Sequence, residues 1–341
     1  MGLRLIGELD ACIPSRVCPC VKAGLKYNWV MASSISDLLT KASFGTRLSL
    51  RVAQFLPNQV GYFAARQAGA FLSRMKKSAM VRSVMMNQWV IHGGGLSEGE
   101  LMRHVHRTYA YQSRALFETY RYMDRPDRLG SLVSISSRCR QVLNDQKNSR
   151  RGLVLLLPHL CGFDLGGFSL AQQGFPFLTL SYPNPPGGYQ LQNELRRKHG
   201  MDVLPLSFSA LKTARERLEN GGTILTGLDR PFPESGYAPR FFGRPAPLPV
   251  SHIRMALKTH SAVRIIATLE GKNKTYVVEV SDEIPMVPDP DPHREVIANA
   301  ERVLQEAEKF ILINPDRWVM FFPVWPEVAG EIPYLKSGSP K

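Results

Sequence analysis

The alternation of apolar and polar positions changes character near Pro126. Upstream the spacing is helical. Val52, Phe55, Val60, Phe63, Ala64, Ala68, Phe71 and Leu72 return every three to four residues and mark one face. Ser97 is a favourable N-cap, and Glu98 and Glu100 suit the positive end of a helix dipole. This predicts a helix to Tyr122 that buries Met102, Val105, Tyr109, Leu116 and Tyr120. Downstream, short apolar runs alternate with helical patterns. Strands are expected over 132–135, 153–157, 177–180, 203–206, 223–226, 263–269 and 276–280. Helices are expected over 137–144, through Arg196, and over 209–218, 250–259 and 294–313. Such alternation predicts an α/β fold, a mixed and mostly parallel sheet flanked by helices, behind an N-terminal helical region. The implied organisation is a loose leader (1–47), a helical region (48–125), an α/β core (126–330) and a tail (331–341). Met31 is a second candidate start.

The stretch Leu-Val-Leu-Leu-Leu-Pro-His-Leu-Cys-Gly-Phe-Asp, residues 153 to 164, organises the rest. An uninterrupted apolar run reads as a strand buried on both faces. Pro158 ends it, having no N–H for a ladder. His159 then stands at the strand's carboxyl end, Gly162 frees the backbone, and Asp164 opens an apolar helical stretch. Ligands and chemistry gather at such strand-to-helix turns in open α/β sheets.

The formal net charge of +14 over 341 residues implies an acidic partner: nucleic acid, anionic lipid headgroups or an acidic carrier protein. No zinc finger, RNA-recognition aromatic motif or helix-turn-helix pattern supports nucleic acid. Arg47, Arg51, Arg66, Arg74, Lys76, Lys77 and Arg82 edge the N-terminal apolar face. That face suits a membrane interface, and equally a helix packed on its own domain. No run resembles a transmembrane helix, and Glu8 and Asp10 interrupt any signal-peptide pattern. The five cysteines form no metal pattern and fit a reduced compartment.

A neutral imidazole is the usual general base for a hydroxyl, and a carboxylate on its other nitrogen fixes the tautomer. His159 and Asp164 are the catalytic candidates for those roles. Cys161 is too near the base in sequence to be its nucleophile, and no G-x-S-x-G elbow is present. Direct attack by an activated substrate hydroxyl is therefore favoured over a covalent intermediate. Arg196 and Arg197 suit forked contacts to a phosphate or carboxylate. Asp229 follows the strand at 223–226, on the same rim as His159 if the sheet is parallel, with Arg230 beside it. Phe241 and Phe242 read as a pocket wall or as plain core.

These pieces, in this order, resemble a known family. His159 to Asp164 is similar to the H-x4-D/E signature of the lysophospholipid acyltransferase superfamily. The downstream order resembles the bacterial lipid A biosynthesis (lauroyl and myristoyl) acyltransferases, a branch that also holds mycobacterial phosphatidylinositol mannoside acyltransferases. The matching parts are Asn184-Pro185, the Arg196 region, the strand into Asp229, residues 239–246 and the ending Asn314-Pro315-Asp316-Arg317-Trp318. Three features depart from that branch. Trp318 leads into Phe321, Phe322, Pro323 and Trp325 rather than a basic pair, the acid is Asp164 rather than Glu, and no N-terminal spanning helix is evident.

The resemblance implies transfer of a fatty acyl chain from an acyl carrier protein or coenzyme A thioester to a hydroxyl of a lipid or glycolipid. His159 would be the base and Asp164 its support, with Arg196, Asp229 and Arg230 binding substrate. No metal or other cofactor is called for. The implied place is the cytoplasmic face of the inner membrane, peripheral or monotopic, against anionic lipids. Two other classes stay open: a basic membrane- or nucleic-acid-binding protein with a degenerate site, and a thioesterase- or lipase-like hydrolase.

Overall fold

The computed structural model describes residues 53–183 and 187–336. The leader, the Asn184-Pro185 loop and the last five residues of the tail lie outside the described residues.

Among the described residues the first helices with defined bounds are α1 (Asn58–Ser73), α2 (Ala79–Ile91) and α3 (Glu98–Tyr122). The start of α3 is closed by a capping box. Glu100 N–H donates to Ser97 Oγ at 3.3 Å, and Ser97 N–H donates to Glu100 Oε2 at 2.9 Å. Helix α1 lies on α3 through small residues. A Cβ at Gly61 would fall 2.1 Å from the Phe117 ring, so only glycine permits this approach. The buried side of α1 is Gly61, Gly69 and Ser73. Phe55, Val60, Phe63, Phe71 and Leu72, the apolar face read from the sequence, are exposed, Phe55 at 83%. Of the two readings of that face, packing onto the described domain is not what the structure shows.

After α4 (Pro126–Leu132) the chain alternates strand and helix: β1 (Val133–Ile135), α5 (Ser137–Gln146), β2 (Leu153–Leu157), α6 (Phe163–Gln172), β3 (Leu178–Ser181), α7 (Gly187–Lys198), β4 (Asp202–Pro205), α8 (Phe208–Glu219) and β5 (Thr223–Gly227). A small ribbon, β6 (Arg240–Phe241) and β7 (Arg244–Pro245), precedes α9 (Ser251–Thr259), β8 (Ala262–Glu270), β9 (Tyr276–Val280) and α10 (Pro292–Ile313). Among the described residues the main sheet has seven strands, in the order β1-β9-β8-β2-β5-β3-β4. Only the β8–β9 pair is antiparallel. The expected mixed, mostly parallel sheet is therefore present, with β2 near its centre.

The run at 153–157 works as a strand with two buried faces. Val154 and Leu156 pack with Ala214, Leu218, Ile253 and Ala307 of α8, α9 and α10. Leu153 and Leu155 pack on the opposite side with Leu143, Leu165 and Phe168 of α5 and α6. Burying each such leucine is worth about 1.5–3 kcal/mol. That explains why every position of this strand is apolar rather than every second one.

The chain end returns across the top of the sheet. A turn at Pro315–Arg317 leads into an extended strap. Trp318 bridges Leu160 in antiparallel fashion, Val319 N–H donates to His159 O at 2.8 Å, and Cys161 N–H donates to Arg317 O at 2.8 Å. Asn87 of α2 grips the same strap, donating to Met320 O and Phe322 O and accepting from Val324 N–H. Phe241 is packed among Phe242, Trp318 and Trp325, so the aromatic pair belongs to the core and not to a pocket wall.

Candidate active site

Strands β2 and β5 run parallel with Leu157 beside Gly227. Two residues beyond each partner stand His159 and Asp229. His159 Nδ1–H donates to Asp229 Oδ1 at 2.5 Å, and the His159 backbone N–H donates to Asp229 Oδ2 at 2.8 Å. The Trp318 indole Nε1–H, reaching in from the strap, donates to the same Oδ2 at 2.6 Å. Asp229 is fully buried. Burial pushes its carboxyl pKa up, but the His159 and Trp318 contacts outweigh that, and the group titrates below its ordinary value. A buried carboxylate that stays ionised holds the imidazole as the Nδ1–H tautomer.

With Nδ1 engaged, Nε2 is the ring nitrogen left to act, and it has no hydrogen bond among the described residues. The ring is 20% exposed, and Phe163 meets it edge-on at 5.3 Å. Gly227 lies flat against the imidazole: a Cβ there would sit 2.6 Å from Cε1. Gly162 starts α6 at φ +85°, a left-handed conformation that suits glycine, and a Cβ would also strike the Tyr276 ring at 2.5 Å.

His159 opens onto a cavity of about 430 Å³ at the carboxyl ends of the strands. Its walls are chiefly apolar, including Leu170, Leu180, Met201, Leu211, Leu225 and Val278. Asp164, Arg196 and Arg230 also line it.

The H-x4-D spacing points to Asp164 as the partner of the imidazole, and the structure corrects this. Asp164 sits in the first turn of α6, where Arg196 Nε donates to its Oδ1 at 2.8 Å. Arg196 in turn donates to Asn193 Oδ1 at 3.0 Å, and Asn193 donates to Ser181 Oγ at 3.0 Å. Burial works against the Arg196 charge, yet Asp164 and Tyr189 together more than offset it and the pKa is raised. The acid of the motif thus ties α6 to α7 and braces one wall. Asp229, expected to bind substrate, is instead sealed behind the imidazole. The physical reason is register: two parallel strands deliver two residues to one depth, while a residue one helical turn on points elsewhere.

Arg230 remains on the cavity side. Its guanidinium stacks 3.8 Å from the Tyr182 ring centroid and 4.0 Å from that of Phe322, and it makes no ion pair among the described residues. Burial lowers its pKa. Cys161 is wholly buried with its thiol pushed up to about 12, so it is no nucleophile. The sequence reading gave Trp318 and Tyr182 no role at the site. Trp318 lies 89 residues from Asp229, and no local spacing announces their contact.

By fold and site this is a mixed α/β protein of the kind that carries its chemistry on strand ends. The model of the bacterial lipid A biosynthesis acyltransferase family matches residues 40–327, and the chain belongs to that family. A stretch of 116 residues is 32% identical to the phosphatidylinositol mannoside acyltransferase of Mycobacterium tuberculosis, covering 33% of this chain and 37% of that protein. The Mycolicibacterium smegmatis protein of the same name is 32% identical over 117 residues, 33% of this chain and 38% of its own length. The matches span little more than a third of these relatives.

Proposed function

We propose that the protein moves a fatty acyl group from a thioester of acyl carrier protein or coenzyme A to a hydroxyl of a lipid or glycolipid, with His159 as general base and Asp229 as its partner. The observation that carries this reading is the imidazole fixed by a buried, ionised carboxylate at the mouth of an apolar cavity. His159 Nε2 takes the acceptor's hydroxyl proton as the oxygen attacks the thioester carbonyl carbon. The tetrahedral adduct collapses with loss of the C–S bond. The imidazolium returns its proton to the departing thiolate, which leaves as the free thiol. The apolar walls receive the acyl chain, and Arg230 binds an anionic group of donor or acceptor. No cofactor takes part.

The exposed phenylalanines and Leu72 of the α1 region, beside Arg66, Arg74, Lys76 and Lys77, support peripheral contact with an anionic membrane. No helix among the described residues is long and apolar enough to cross one. The inner leaflet facing the cytoplasm is the surface we assign.

The test is incubation of the purified chain with a labelled acyl thioester and a bacterial lipid extract. Label should pass into a lipid, and a folded His159→Ala protein should pass none. Release of free fatty acid alone would instead favour a hydrolase, and no turnover of any thioester would favour a binding protein.

A further inference from the structure

A second cluster of proton- and metal-binding groups stands apart from the cavity. His92 follows the end of α2, His104 lies in α3, and Asp316 lies in the turn that begins the strap. The two imidazole rings face each other at 4.0 Å between centroids, tilted by 33°. His104 Nδ1 lies 2.7 Å from Asp316 Oδ1. The buried Nε2 of His92 has no hydrogen-bond partner. One ligand atom from each of the three residues falls within 4.8 Å of the other two. Arg107 approaches Asp316 Oδ2 at 3.5 Å, but its side chain is 63% exposed and free to swing outward.

We propose that His92, His104 and Asp316 form a zinc site. Two imidazoles and one carboxylate are the donor set of a divalent ion of borderline softness, whereas calcium and magnesium take oxygen ligands. Donor atoms around a tetrahedral zinc stand roughly 3.4 Å apart. The His104–Asp316 pair opens slightly to admit the ion, the wider separations close, and a water completes the shell. The orphaned nitrogen of His92 is the feature that an ordinary His–Asp pair leaves unexplained. Once coordinated, it is satisfied.

The site joins two successive helices to a turn that lies 212 residues beyond His104 in the chain. Asp316 is two residues from Trp318, whose indole holds Asp229, and three from Val319, which is bonded to His159 O. An ion there staples α2 and α3 to the strap that positions the imidazole–carboxylate pair. The assignment is independent of what reaction the cavity performs.

The experiment uses the full chain, stripped with a chelator, dialysed and titrated with Zn²⁺ by calorimetry, then with Co²⁺ as a visible probe of coordination. One ion per chain should bind, with a rise in melting temperature and a cobalt spectrum typical of low coordination. His92→Ala should weaken zinc binding at least tenfold while folding normally, because the lost nitrogen has no partner in the metal-free protein. His92→Asn repeats the measurement if the alanine protein does not fold. His104→Gln and Asp316→Asn should weaken binding likewise. Failure of the stripped wild-type chain to bind zinc overturns the proposal, and so does binding that all these substitutions leave unchanged.

Discussion

The Trp318 indole donates to Asp229 Oδ2 at 2.6 Å, on the same oxygen that takes the His159 backbone N–H. One residue of the returning strap therefore completes a carboxylate whose other oxygen holds the imidazole. A hydrogen bond to a buried charge is worth about 1.5–3 kcal/mol. Trp318→Phe keeps an aromatic body against Phe241 and removes that bond. The expected result is a fall in kcat of roughly tenfold or more with KM little changed, and a far-ultraviolet spectrum like that of wild type. A change in KM alone would assign Trp318 to substrate binding.

The two carboxylates separate by phenotype. Asp229→Asn deprives His159 of its ionised partner and should cost about 10²–10⁴ in turnover, as is typical of acid–base groups. Asp164→Asn leaves the Arg196 guanidinium, nearly buried, without its counter-charge. Breaking such a pair costs about 3 kcal/mol of stability. Its main effect should be a lower denaturation midpoint, with turnover per folded molecule changed less than in Asp229→Asn. Equal losses of turnover in the two variants, at equal stability, would return Asp164 to the chemical step.

How much of this was readable beforehand follows from how local each signal is. The N-cap at Ser97 and the strand at 153–157 are written within a few residues, and both formed as expected. His159 followed from its place after that strand. The choice of acid did not follow, because H-x4-D is a spacing along one segment. The true neighbour of the imidazole is set by the register of β2 against β5 across 70 residues. A hint lay in the sequence: His159 and Asp229 each follow closely on an expected strand, two residues past 153–157 and three past 223–226. Trp318 and the His92–His104–Asp316 cluster carried no such hint, since tertiary packing alone brings them together.

His252 gives the stability a pH dependence of its own. It is fully buried on the cavity wall, and burial lowers its pKa to about 4. The unfolded chain binds a proton near pH 6.5 that the folded chain refuses until about pH 4. Stability from this residue is therefore complete above 6.5 and is lost as the pH falls through the window down to 4, by up to about 3 kcal/mol. Urea midpoints measured across that window should fall more steeply for wild type than for His252→Gln. Parallel curves would mean that His252 is charged in the folded state or exposed to solvent.

The exposed face near α1 should bind anionic vesicles at low salt and release them at high salt, where exposed charges are screened. Phe63→Glu combined with Phe71→Glu should abolish sedimentation with such vesicles. The melting temperature should hold, since both rings are more than half exposed. Undiminished sedimentation would assign membrane contact to another surface.

Gly227→Ala tests the geometry of the imidazole most directly. The added methyl would lie 2.6 Å from His159 Cε1 and 3.3 Å from Nε2, too close for both to stay. Gly227 ends β5 at the rim, so the ring is the part free to move. Rotation away from the methyl breaks the bond from Nδ1 to Asp229 and leaves that carboxylate with the two other donors. Turnover should therefore fall about as far as in Asp229→Asn, roughly 10²-fold or more, with the sheet intact by circular dichroism. The paired variant Gly227→Ala/Asp229→Asn should lose little beyond either single change, because both act through one contact. Additive losses would show that the glycine serves the substrate path instead.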